Sequence, residues 1–289
     1  MKAPEETVDA DGPWTLVLGP KKKFLDINIR EIIRYRDLVW LFVRRDFATV
    51  YKQTILGPLW FIINPLFTTV MYTFVFGNLA KIGTDGIPYL LFYYGGTMLW
   101  HYFSSCLTNS ADIFSSNSGL FGKVYFPRLV VPISKIFSNM VTLGIQFGTL
   151  MVFYVYYLLK GSPIQPSYWM LAFPLLIVWL AALASGIGMI VSSLTTKYRD
   201  LRHLFGFGVS LWMYGTPIIY PLSQIPKQYA WAFYINPVSA PIELFRIWFY
   251  GAGTVPIGMI ASSLGMTAVF LFFGLVFFGH NEKTFIDVA

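Results

Sequence analysis

Glu243 and Arg246 stand three residues apart in an otherwise apolar stretch. Nearer the start, Arg30, Arg34, Asp37, Arg44, Arg45 and Lys52 recur at helical spacing. Residues three apart share a helix face, and an ion pair in apolar surroundings is either a functional site or a brace for the chain around it. At roughly 100° per residue the second group falls within about a 100° arc, with Arg36 the exception. Ile29, Ile32, Ile33, Val39, Phe42, Val43, Phe47 and Val50 supply much of the remaining face. Such a segment reads as a basic amphipathic helix lying on a membrane surface. It serves either as an orientation anchor or as a handle for a phosphorylated lipid head group, because arginine forks match phosphate oxygens.

Other chemistry lacks its residues. No G-x-x-x-x-G-K-[ST] occurs; Gly122-Lys123 is followed by Val124 and lacks the first glycine, so no nucleotide-hydrolysing motor is expected in this chain. No H-E-x-x-H is present, and His101, His203 and His280 are scattered, which predicts no metal centre. Asp9-Ala10-Asp11 matches a D-x-D pattern formally but sits in a tail beside Glu5 and Glu6. Cys106 stands alone, so a disulfide scaffold is excluded.

The elements that must carry these residues follow from composition. Of 289 residues, 56% are hydrophobic, 19% aromatic and only 12% charged, against about 25% charged in a soluble domain. Charges cluster, and the intervals between them are long: 28 uncharged residues between Lys52 and Lys81, 26 between Asp85 and Asp112, and 24 between Lys135 and Lys160. Lys160 to Lys197 encloses 36, Arg202 to Lys227 encloses 24, and Arg246 to Glu282 encloses 35. A spanning helix needs about 20 apolar residues. The expected fold is therefore an all-α polytopic membrane protein with six transmembrane helices, near 58–79, 87–107, 133–158, 168–194, 203–221 and 256–279. The interval from Lys227 to Glu243, 15 residues with two prolines, is too short to span. It reads as part of an outer re-entrant segment over 222–255 that carries Tyr234, Glu243 and Arg246.

An even number of spans puts both termini on one side. With both inside, 17 of the 21 Lys and Arg residues are cytoplasmic, the arrangement the positive-inside rule requires. The net charge of +7 then reflects orientation and anionic lipid rather than nucleic acid. Residues 1–20 have no continuous apolar core, so no cleavable signal peptide is expected. The organisation expected is a cytoplasmic tail (1–27), an amphipathic helix (28–56), a six-span domain (57–279) with a polar cytoplasmic region at 108–132, and a cytoplasmic C-terminus (280–289). The predicted span interiors carry no charge, which argues against coupling to ion gradients. Work would have to arrive from a partner at the polar stretches 109–126 and 196–202. Aromatics crowd the spans beyond what interfacial belts require: Trp60, Tyr72, Phe76, Tyr93, Tyr94, Trp100, Tyr102 and Tyr154 are either packing residues or flat faces with polar handles for a sugar polymer.

Four patches, in order, then resemble one family. They are Tyr51 through Trp60 with Asn64-Pro65, Val124-Tyr125-Phe126-Pro127-Arg128 with Pro132, Tyr198-Arg199-Asp200, and Asn236-Pro237 followed by Glu243 and Arg246. Together they resemble the permeases of type-two ABC exporters that move O-antigen, capsule or teichoic-acid chains. That resemblance implies a homodimer, two copies of a separate ATPase that carries the ATP and magnesium, and a lipid-linked polysaccharide cargo, with undecaprenyl-pyrophosphate-linked O-antigen crossing the bacterial inner membrane as the leading expectation. It implies ATPase coupling through Ser115, Ser116, Asn117, Leu120, Phe121, Tyr198, Arg199 and Asp200. It further implies pyrophosphate handling by Arg30, Arg34, Arg44, Arg45 and Lys52 and an outer cap at 228–250, while the aromatics above stay candidates either for packing or for a glycan channel. A drug-exporter permease, a membrane-embedded enzyme of glycan assembly and a non-catalytic scaffold are the alternatives.

Overall fold

The computed structural model describes residues 33–51, 56–117, 119, 126–195 and 200–288. Among these every regular element is helical: α1 (Arg36–Tyr51), α2 (Trp60–Tyr72), α3 (Tyr89–Ala111), α4 (Ile113–Ser116), α5 (Val130–Leu159), α6 (Phe173–Thr195), α7 (Leu201–Tyr214), α8 (Ala230–Ile235), α9 (Ser239–Tyr250) and α10 (Ile257–Val288).

Four helical stretches are long and apolar enough to cross a membrane: Gly57–Leu79, Val130–Leu159, Tyr168–Thr195 and Ile257–His280. The other two expected spans differ for separate reasons. Helix α3 has the length, 23 residues, but carries Gly95, Gly96, Thr97, His101, Ser104, Ser105, Thr108, Asn109 and Ser110. It is the buried axis of the chain, packed against α2, α5, α6, α7 and α9, so its surface meets protein and need not match lipid. Its Thr97 and Thr108 hydroxyls donate to carbonyls one turn back, which leaves them satisfied within the helix. Helix α7 is 14 residues long, about 21 Å, short of a hydrocarbon core of about 30 Å. The chain leaves the helix at Gly215-Thr216-Pro217, where proline offers no N–H and disfavours the helical conformation of the residue before it.

Small residues set the helix spacing. Positions 186 and 188 on α6 point about 200° apart, and each is pressed by a different neighbour. A Cβ on Gly186 would stand 2.6 Å from the Leu271 nitrogen of α10, and one on Gly188 would stand 2.7 Å from the Leu107 oxygen of α3. Gly274 meets the Gly186 carbonyl from the other side just as closely. Helix α6 is thereby clamped between α10 and α3 by backbone contact, the close approach that small residues permit in lipid. Beyond α2 the chain continues through wider, π-type turns over Thr73–Leu79, and Pro65 lies within a helix that runs on past it. Helix α10 extends through the expected polar tail to Val288.

The core has three parts. The largest surrounds α3 and takes in α5, α6 and α9. A second joins Phe42 of α1, Ile113 and Phe114 of α4, Val130 and Val131 of α5, Met189 of α6 and Phe278 of α10. A small third cluster, Phe233, Ala240 and Met259, seats α8 and α9 on α10.

Candidate functional site

Chemistry-bearing side chains collect at the two ends of the bundle. At the α9 end, two short helices of 6 and 12 residues are joined by Asn236-Pro237-Val238, and Asn236 explains why an amide stands there. Its Oδ1 accepts from Trp212 Nε1 and from the Val238 backbone N–H, both at 3.1 Å. Its Nδ2 donates to the Gly215 carbonyl and to Thr216 Oγ1, both at 2.9 Å. One side chain thus satisfies the chain where α7 breaks and fixes the turn into α9. In a buried setting each of these groups left unpaired would cost about 1–3 kcal/mol.

Glu243 and Arg246 lie on the inner face of α9, both almost fully buried. The Arg246 Nη1 donates to Glu243 Oε1, and Nη2 donates to the Ile218 carbonyl at 3.1 Å. The guanidinium also lies 3.8 Å from the centroid of the Phe92 ring on α3. This close seating depends on Gly95 and Gly96. A Cβ at Gly95 would meet Phe245 Cε1 at 2.7 Å, and one at Gly96 would meet Ile218 Cγ2 at 3.2 Å. Tyr250 closes α9 onto α3 by donating to the Leu91 carbonyl at 3.0 Å, and Tyr154 of α5 donates to the Phe249 carbonyl at 2.7 Å. Gly251, at φ +69°, then ends the helix in the left-handed region. Tyr234 is partly exposed on α8, and Ser262 of α10 donates to its carbonyl at 2.9 Å.

The α4 end is built from ion pairs. Arg202, in the first turn of α7, forks onto Asp112, which caps the junction of α3 and α4: Nε meets Oδ1 at 2.7 Å and Nη2 meets Oδ2 at 2.8 Å. Asp200 accepts from the Leu201 N–H at 3.0 Å and so caps α7. On the flank, Asp46 of α1 meets Lys135 of α5 at 2.7 Å and Arg45 at 2.9 Å. Burial pushes the Asp46 carboxyl up, and the hydrogen bonds and charges of Lys135 and Arg45 outweigh that push, so its pKa lies below the ordinary carboxylate range.

The residues expected from sequence distribute between these ends. Ser115 and Ser116 lie in α4; Ser116 Oγ donates to the Asp112 carbonyl and Asn117 Nδ2 to the Ile113 carbonyl, at 2.5 and 3.0 Å. With Asp200 they fall close to the Asp112–Arg202 pair that links α4 to α7. Leu120, Phe121, Tyr198, Arg199, Arg30 and Lys52 lie outside the described residues. Arg34, Arg44 and Arg45 are exposed on or beside α1, near the exposed Ile33, Trp40 and Leu41, whereas Phe42 and Val43 are buried beneath. Of the aromatics, Tyr93, Tyr94, Trp100, Tyr102 and Tyr154 are buried within the chain. Tyr72 and Phe76 are half-buried, and Trp60 is exposed. Asp112, Arg202, Asp46 and Lys135 escaped the sequence reading because nothing local marks residues 89 or 90 positions apart as partners. Asp112, Lys135 and Arg202 were visible only as charges that bound the uncharged intervals, and Asp46 had not even that signal.

Residues 37–250 match the family described as ABC-2 type transporter. The chain is similar to an O-antigen export system permease protein RfbA of Klebsiella pneumoniae, 31% identical over 254 residues that cover 87% of this chain and 95% of that protein. It is also similar to an RfbA of Myxococcus xanthus, 26% identical over 224 residues and 84% of that protein's length. A polysialic acid transport protein KpsM of Escherichia coli is 27% identical over 252 residues, 84% of this chain and 92% of that protein.

Proposed function

The chain belongs to the ABC-2 type transporter family, and from that premise we propose that it is the membrane permease of an ATP-driven exporter of lipid-linked polysaccharide in a bacterial inner membrane, with an undecaprenyl-pyrophosphate-linked O-antigen as cargo. Similarity to an O-antigen export permease across 95% of that protein's length supports the cargo class. The geometric observation that carries the reading is the Asp112–Arg202 fork. It ties α4, in the first polar stretch, to α7, at the edge of the second, so a push on either is transmitted to the buried axis α3 and to α7 together.

In this reading two copies of the chain pair, and two copies of a separate ATPase, holding ATP and magnesium, seat against Ser115, Ser116, Asn117, Leu120, Phe121, Tyr198, Arg199 and Asp200. Six segments span the membrane, with α3 and the α7–Pro221 segment completing the four strongly apolar ones, and both termini face the cytoplasm. Helix α1 lies at the inner membrane surface and offers Arg34, Arg44 and Arg45 to pyrophosphate, alongside Arg30 and Lys52. Helices α8 and α9 form the re-entrant outer cap. Trp60, Tyr72 and Phe76, which retain exposed surface, meet the glycan directly, and Tyr93, Tyr94, Trp100, Tyr102 and Tyr154 form the wall behind them.

The test is affinity capture of the full chain in mild detergent, followed by identification of co-purifying proteins and an ATPase assay. Capture of a P-loop ATPase at equal stoichiometry is expected, with hydrolysis that loses its response to the permease in Arg202→Ala. Absence of any ATPase from a folded, monodisperse preparation would overturn the proposal.

A further inference from the structure

A groove of about 300 Å³ opens on the flank of the bundle between α2, α3 and α5, apart from both ends described above. Trp60, Asn64, His101, Ser105, Asn139 and Gln146 give it its chemistry. The lining holds three amides, hydroxyls, an imidazole and an indole, and no Lys, Arg, Asp or Glu. Asn64 and His101 are exposed at the mouth and Gln146 is buried. Asn139 is held in place, its Oδ1 accepting from Asn109 Nδ2 at 3.3 Å and its Nδ2 donating to Cys106 Sγ at 3.4 Å. Among the described residues no hydrogen bond engages the side chains of Asn64, His101 or Gln146.

Polar side chains in the walls of apolar spans carry a desolvation cost unless something meets them. Here three such residues converge on one concavity beside an indole. We propose that the groove is a docking site for a neutral saccharide unit. Amides and imidazole supply the donors and acceptors that hydroxyl and acetamido groups require, and an aromatic face suits the apolar side of a pyranose ring. The uncharged lining disfavours a phosphate, which draws cations. The volume lies at the low end of small-ligand sites, about 300–1,000 Å³, and so fits a short piece of glycan rather than a long chain.

The position of the groove fits that occupant. Trp60 opens α2, and Asn139 lies one turn along α5 from Lys135, the partner of Asp46 on α1. Phe47 of α1 stacks on Phe61 of the groove wall, with centroids 6.1 Å apart. The neutral pocket is thus immediately inside the arginine-bearing helix. A lipid-linked sugar would have its phosphates at α1 and its first sugar in the groove. This placement rests on the export reading given above.

The test uses the full chain with its partner ATPase in lipid nanodiscs. Three photoreactive amphiphiles are compared: an octyl N-acetylglucosaminide with a diazirine on the sugar, an octyl phosphate with a diazirine near the phosphate, and a phospholipid with a diazirine in its acyl chain. Adducts are mapped by mass spectrometry. The sugar probe should label the 60–65, 101–105 and 139–146 stretches, and free N-acetylglucosamine oligomers should compete. Labelling should fall about fivefold in His101→Leu and in Gln146→Leu, the size expected for losing one hydrogen bond to the ligand. His101 is exposed, so its variant stays informative if the buried Gln146 replacement fails to fold. Labelling of these stretches by the acyl-chain probe, unaffected by sugar, would overturn the proposal in favour of a lipid-filled groove. Protection from all three probes would overturn it in favour of cover by a second copy of the chain. ATPase activity of the unmodified complex is read in parallel. Robust permease-dependent hydrolysis without sugar labelling defeats this inference alone, and absence of any permease-dependent hydrolysis defeats the export reading beneath it.

Discussion

Arg246 and Arg202 each meet a carboxylate within 3 Å, yet they sit in opposite surroundings. The Arg246 side chain is 2% exposed, and a carbonyl and an aromatic ring also engage it. The Arg202 side chain is 51% exposed and forks onto Asp112. The difference extends to their neighbourhoods. Around Arg246, α9 is fitted into α3 through glycines, Tyr250 and the four bonds of Asn236, so the α9 end is a close-packed unit. Around Arg202, α4 and α7 are joined by one partly exposed ion pair, the kind whose loss costs little. One end is held by buried packing and the other by an ion pair that water reaches.

The largest expected effect tests the packed end. Arg246→Leu strands the Glu243 carboxylate in the interior, and thermal unfolding in detergent should show a loss of about 3–5 kcal/mol. Adding Glu243→Gln should recover part of it, because the unpaired charge is then gone. A loss below about 1 kcal/mol for Arg246→Leu would remove the basis of the contrast. Next comes Asn236→Ala, which leaves Trp212 Nε1 and the Gly215 carbonyl without their partner. About 2–3 kcal/mol is expected, and increased proteolysis within 215–238 would sharpen the assignment of this turn to the packed end.

At the flank of the α4 end, Asp46 supplies a pH dependence. Its carboxyl is held below the ordinary range, so its stabilisation is fully present above the unfolded pKa, about 3.9, and is lost as pH falls through the lower folded value. Asp46→Asn should reduce stability by about 1 kcal/mol at neutral pH, and the melting curves of variant and parent should start to approach each other only as pH falls below about 4 and meet once it is below the depressed folded pKa. Persistent separation in acid would mean that the aspartate acts through shape rather than charge. The smallest stability effect is expected for Asp112→Asn, below about 1 kcal/mol because the pair is water-accessible. Its effect on ATP-driven export should nonetheless be severe. Unchanged export with unchanged stability would show that the fork transmits nothing.

Helices were legible in this sequence wherever their signal was local. The uncharged intervals located α2, α5, α6 and α10, because a lipid-facing helix must be apolar throughout. The same rule explains what was less legible. Helix α3 is surrounded by protein and is free to be polar, and α7 stops short because its last turns are replaced by a bonded loop. Within the site, Glu243 and Arg246 could be paired in advance by spacing alone. The partners of Asn236, Asp112 and Asp46 could not, since each pairing depends on how distant helices cross. Most of the aromatic residues singled out for a polymer surface turned out to be buried within one chain, because a tyrosine in a protein core and a tyrosine facing a sugar leave the same letter in the sequence.

The bonded loop after α7 also has a consequence in time. Residues 201–221 leave the ribosome before Asn236 does, so the carbonyl of Gly215 must first be held by water, lipid head groups or the insertion machinery, whereas the Thr216 hydroxyl can already donate to the Trp212 carbonyl. Only when the next fifteen residues have followed can the amide arrive and release those temporary hosts. The broken segment is therefore completed only after Asn236 has followed it, and a chain truncated before position 236 would leave the Gly215 carbonyl without that amide.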